Sequence, residues 1–152
     1  MEDNIQTAFD FLCEHNEGIL GTVNGDRPAL RAFQVMRVGE EDLFFATAPQ
    51  KEVYRQLQTN PNVDFMVLHG KVSVRCSGTA HFDVDEETQR WIYDHNPVLP
   101  RLYTSFDKLV YFRLPVERLE YFDLRPTPPV VLHIDLSIRQ TREGFRGERF
   151  MA

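Results

Sequence analysis

The stretch PALRAFQVMRVGEEDLFFATAPQKEVYRQLQTN, Pro28 to Asn60, decides how the rest of this chain is read. Apolar and β-favouring residues dominate RAFQVM and LFFAT, and the GEED between them is a turn, so the segment predicts two strands joined by a tight acidic turn. A short loop carrying Thr47 and Lys51 follows, then a helix closed by Asn60 and Pro61. Along the first strand Leu30, Ala32, Gln34 and Met36 share one face, and Arg31, Phe33, Val35 and Arg37 share the other. Neither face is purely polar. The nearly continuous apolar character of LFFAT implies strands covered on both sides, by protein or by a ligand.

Upstream, Asp3 or Asn4 can cap a helix in which Ile5, Ala8, Phe9 and Leu12 repeat at helical spacing. Gly18 breaks that helix, and ILGTV from Ile19 to Val23 reads as a strand ended by the hairpin pair Asn24 and Gly25. Downstream, VDFMVLH and KVSVRCSGTAHFDV form a second pair of strands around Gly70. Asp85 caps a third helix, DEETQRWIYDHN, which Pro97 and Pro100 stop in a loop carrying Arg101 and Tyr103. LVYFRL and RLEYFDL are further strands. Pro126, Pro128 and Pro129 interrupt regular structure before VVLHIDLSI, and a polar tail begins at about residue 137. Six or seven short strands with three helices and no regular strand and helix alternation predict a mainly β architecture, an antiparallel split barrel with flanking helices, in one domain over residues 1–152.

Composition limits the function classes. The chain has 152 residues, 42% hydrophobic and 26% charged, ordinary for a globular protein, with a net charge of -6. An acidic surface repels phosphate backbones and anionic bilayers, so nucleic acid and membrane are not expected partners. The N-terminus lacks a signal-peptide pattern and no apolar run approaches a membrane span. Two distant cysteines, Cys13 and Cys76, fit a reduced cytoplasmic protein. The five histidines are scattered without metal-ligand spacing, so no metal site is expected, and Trp91 reads as a core or interface anchor.

The chemistry of the opening stretch is that of anion binding. A guanidinium can hold two phosphate oxygens, a lysine adds a point charge, and a threonine hydroxyl adds a short hydrogen bond. Arg31, Thr47 and Lys51 supply those groups, and the helix start after Lys51 adds amides and the positive end of a dipole. By residue type alone such groups are more often solvated surface.

The order RAFQVM, turn, LFFAT, a lysine four residues on, a helix, NPNV and then VRCSGTA resembles the pyridoxamine 5'-phosphate oxidase-like FMN-binding split-barrel family, from about Ile19 to Asp123. The resemblance implies FMN as cofactor, held by Arg31, Ala32, Phe33, Gln34, Ala46, Thr47 and Lys51. Phe33, Val35 and Phe45 could wall a flat apolar ring, although each alone is more often core. It also implies a homodimer with the flavin sites at the subunit interface. Met36 stands where true pyridoxamine phosphate oxidases carry a substrate-binding lysine, and their C-terminal signature is absent, so that reaction is not expected. Ser73 stands where a glutamine would touch the ring.

The chain thus more closely resembles the short flavin reductase and nitroimidazole-resistance branch, which implies that FMN passes electrons to a small, for example nitroaromatic, substrate. No catalytic residue is assigned. Arg101 and Tyr103 can border the substrate side. The alternatives are a non-catalytic flavin carrier or redox sensor, and a barrel that uses haem or the deazaflavin F420 instead of FMN.

Overall fold

A computed structural model describes residues 1–150. It is mainly β, built on antiparallel strands with flanking helices. Helix α1 (Glu2–Glu14) leads into β1 (Glu17–Asn24) and β2 (Arg27–Gln34), then the short β3 (Arg37–Val38), β4 (Asp42–Thr47) and helix α2 (Glu52–Thr59). Strands β5 (Asn62–His69) and β6 (Val72–Thr79) follow, then α3 (Glu86–His95), α4 (Val98–Leu102), β7 (Val110–Pro115), β8 (Arg118–Asp123), β9 (Val130–Asp135) and β10 (Gln140–Glu143). Seven strands form one sheet in the order β10-β9-β8-β6-β5-β1-β2, and β3-β4-β7 form a second.

The expected strand from about Ala29 to Arg37 is divided between these two sheets. It pairs with β1 as far as Gln34, then turns so that the Met36 amide donates to the Phe44 carbonyl and Arg37 pairs with Phe44 in the smaller sheet. Val35 lies at the bend and is buried. Periodicity could not reveal the break, because residues on both sides of it are apolar whichever sheet they join.

The first hairpin sets the register of the site. Its two-residue turn is Gly25–Asp26, one residue later than the expected Asn24 and Gly25 pair, and Gly25 takes the left-handed φ of 65° that such a turn demands. Gly18 lies inside β1 and does not end α1. A side chain there would run into the Met66 carbonyl oxygen at 2.3 Å, so glycine permits the close approach of β5. No side chain caps α1, which begins at Glu2, and neither Asp3 nor Asn4 serves as its cap.

The core is where the two sheets and α1 meet. Leu12, Leu20, Phe45, Phe65 and Phe112 are fully buried there, with Phe45 centred 5.1 Å from both Phe65 and Phe112. Cutting Phe45 to alanine would cost about 3–5 kcal/mol. A second cluster, Ala46, Ile92, Leu99, Leu109 and Tyr111, packs α3 and α4 against the far side of the smaller sheet. Strand β4 is therefore covered on both sides by protein: Leu43 and Phe45 enter the first cluster, Phe44 and Ala46 the second. Its continuous apolar run needs no ligand to account for it. Val35 and Phe45 accordingly belong to the core and line none of the five clefts described, while Phe33 is partly buried against it.

The polar tail is in part regular. Gln140–Glu143 pairs with β9 as the edge of the large sheet although all four residues are exposed. Arg139, with φ 51°, joins this hairpin to Glu2 and to Glu41.

Candidate functional site

Three side chains were expected to meet: Arg31, Thr47 and Lys51. Pairing places Arg31 on the inner face of the large sheet, because its cross-strand partner Leu20 continues through Phe65, Cys76 and Leu119 to Ile134, all buried. A half-buried guanidinium on that face must find acceptors. Nη1 donates to the Leu20 carbonyl at 3.1 Å and Nη2 to the Gln56 side-chain oxygen at 2.8 Å. No carboxylate among the described residues forms an ion pair with it. Burial holds its pKa below the ordinary arginine value. The charge is partly desolvated and uncompensated.

Thr47 ends β4, beside β7, where its backbone pairs with Val110. It is 2% exposed, and its hydroxyl has no hydrogen-bond partner among the described residues. A buried hydroxyl left so costs about 1–3 kcal/mol, which makes it the most conspicuous polar defect of the core.

Lys51 is exposed and occupies the N-cap position of α2, whose first turn has no side-chain cap. Its amide closes the preceding loop onto the Ala48 carbonyl at 3.0 Å. An uncapped helix start presents unsatisfied amides and positive potential. Helix α2 also connects two of the three groups directly: Lys51 precedes its first turn, and Gln56, on its buried face with Val53 and Leu57, holds Arg31.

The other expected residues fall on different sides. Ala32 and Gln34 point to the outer face of the large sheet, opposite in parity to Arg31 and Phe33. Ser73 also lies on that outer face, between Leu68 and Phe122. Ala46 is buried in the second cluster. Arg101 is exposed on α4, and Tyr103 packs partly buried against the second cluster, its carbonyl accepting from the Tyr93 hydroxyl at 2.7 Å. None of the five clefts described on the single chain gathers Arg31, Thr47 and Lys51 into one cavity.

Sequence reasoning overlooked Gln56 and Thr22. The signal was available: Gln56 interrupts an apolar stripe formed by Val53 and Leu57, and a polar residue on such a stripe must be paired. Its Oε1 accepts from both the Thr22 hydroxyl, at 2.6 Å, and Arg31. Among the described residues no group of three or more His, Cys, Asp or Glu side chains is placed to hold a metal, and no helix is long and apolar enough to cross a membrane.

The sequence matches the pyridoxamine 5'-phosphate oxidase family over residues 4–121. The chain belongs to that family. No curated protein matches it in sequence. Among solved structures it is similar to a NimC/NimA family protein from Clostridium acetobutylicum, with 22% identity, a TM-score of 0.68, and coverage of 87% of this chain and 93% of the other. It is similar to a pyridoxamine 5'-phosphate oxidase-related, FMN-binding protein from Nostoc punctiforme, with 15% identity, TM-score 0.69 and coverage of 93% and 92%. A haem-binding protein from Mycobacterium smegmatis is 16% identical with TM-score 0.65, covering 77% of this chain and 52% of that one. At such identities these neighbours bear on the fold, a split barrel, which they share with this chain.

Proposed function

We propose that this family member is an FMN-binding oxidoreductase that reduces a small, for example nitroaromatic, molecule as a cytoplasmic homodimer. The observation that carries the reading is the pair of unmet groups flanking one segment: the uncompensated charge of Arg31 and the orphaned, buried Thr47 hydroxyl. A phosphate monoester offers acceptors for both and for the open start of α2. In their chemistry these donors fit the tail of FMN, although no described cleft of the single chain gathers them. When bound, the flavin would supply hydride and electron transfer. Lys51 and Arg31 would anchor its phosphate, and the Thr47 hydroxyl would donate to it. The name of the Nostoc punctiforme neighbour supports the choice.

Haem, suggested by the Mycobacterium smegmatis neighbour, fits less well. His15 and His69 stack on each other at 3.9 Å, His95 stacks on Trp91, His133 faces Glu120 and His81 pairs with Thr79, so each histidine is engaged.

A homodimer is supported by the outer face of the large sheet. Ile19, Leu30, Ala32, Met66 and Leu68 form an exposed apolar band across β2, β1 and β5, with Leu30 71% and Leu68 69% exposed. A second copy of the chain would cover it. Two free cysteines, Cys13 exposed and Cys76 buried, accord with a reducing compartment.

The test is direct. The purified chain should take up FMN, show its yellow absorbance, and oxidise NADH or NADPH when a nitroaromatic acceptor is added. Failure to bind FMN would sink the proposal. Flavin binding without turnover would leave a carrier or redox sensor in its place. Leu30→Glu with Leu68→Glu should give a monomer by light scattering, and an unchanged dimer would refute the interface.

A further inference from the structure

Gln56 is 5% exposed, and its amide sits between two donors on neighbouring strands. Arginines withdrawn from water usually meet a carboxylate, which fixes them and also cancels their charge. A glutamine does only the first. Two of the five guanidinium N–H groups of Arg31 are spent on Leu20 and Gln56, and three remain to be offered elsewhere. Thr22, 3% exposed, donates to the same oxygen and holds the amide in one orientation. The amide rides on α2 one turn beyond Glu52, so any group bound at the helix start and the guanidinium are referred to one rigid element.

We propose that Gln56 is a positioning residue for anion recognition. It aims Arg31 through a neutral acceptor and so preserves the guanidinium charge for a phosphate monoester at the start of α2. This rests on the flavin reading of the same site and deepens it by naming what gives that site its preference for the phosphorylated form.

The experiment compares FMN with riboflavin, which has the same ring system and no phosphate. Both are titrated by fluorescence against the wild-type chain, Gln56→Glu, Gln56→Met and Arg31→Ala, with melting curves of each unliganded protein. The wild type should favour FMN by tenfold or more. Gln56→Glu should reduce FMN affinity about tenfold and leave riboflavin affinity unchanged, because a carboxylate neutralises Arg31. Gln56→Met, similar in size and uncharged, should also shrink the preference, and should add nothing in an Arg31→Ala background. This second variant decides the matter if the first does not fold.

A preference that survives either folded Gln56 variant would overturn the role of Gln56 and leave the flavin reading intact. Equal losses for both flavins would also overturn it, marking a merely structural residue. A wild type that binds neither flavin, or both equally, would remove the phosphate reading and this inference with it.

Discussion

Helices α2 and α3 begin in opposite ways. At α3 the Asp85 carboxylate accepts from the Thr88 amide at 2.7 Å, Glu86 and Glu87 follow in the first turn, and the helix start is satisfied by its own chain. At α2 a lysine holds the cap position, and among the described residues no side chain accepts from the first turn and the buried hydroxyl that ends the strand just before has no partner. One terminus is complete. The other is poor as structure and well suited to an external anion, which is how functional sites commonly depart from local stability rules.

The largest effect should come from removing the cations of the open terminus. Arg31→Ala with Lys51→Ala should weaken FMN at least a hundredfold, about 2.8 kcal/mol, in fluorescence titration. A folded double variant with wild-type affinity would erase the distinction between the two helix starts.

Thr47→Val sharpens the comparison, because its two consequences have opposite signs. Deleting an unpaired buried hydroxyl at nearly constant shape should stabilise the unliganded chain by about 1 kcal/mol, raising Tm by roughly 2–4 °C. The same change should lower FMN affinity about tenfold. If calorimetry instead finds the unliganded variant destabilised, the hydroxyl is satisfied in solution and does not wait for a ligand.

Exchanging the two designs is a third probe. Lys51→Asp gives α2 the cap it lacks and should raise Tm by roughly 2 °C while abolishing FMN binding. Asp85→Ala should lower Tm by a similar amount with no change in flavin affinity.

The smallest effect is on pH dependence. Hydrogen bonding to Thr88 holds the Asp85 carboxyl below the usual carboxylate range. Its folded pKa is therefore depressed, so its contribution is fully present above the unfolded value of about 3.9 and lost as pH falls through the folded value. The Tm difference between wild type and Asp85→Ala should hold from pH 5 upward and close below about pH 4. A gap that persists at lower pH would show that Asp85 acts through something other than its charge.

Much of the architecture was legible because its signals are local. The Asp85 cap, the helical stripe of Ile5, Ala8, Phe9 and Leu12, and the strand pairs around Gly25 and Gly70 all follow from short-range sequence pattern. What escaped was decided by partners remote in the chain. The division of residues 29–37 between two sheets depends on competition between β1 and β4 for pairing, and an apolar sequence looks the same either way. Strand β10 is wholly polar and exposed, so only its pairing with β9 defines it. In the site, residue types and order pointed to Arg31, Thr47 and Lys51. The acceptor that fixes Arg31 lies 25 residues away in sequence on another element.

The two-residue turn at Gly25–Asp26 also constrains how this protein can drift over generations. Removing or adding one residue there would slide β2 against β1 by a single step, and the period of two would send Arg31 outward and bring Leu30 or Ala32 inward. Lineages should therefore tolerate substitutions in that hairpin far better than changes in its length, and the same holds for the turn between Asp135 and Gln140, where Leu136 enters the core and Arg139 reaches Glu2 and Glu41.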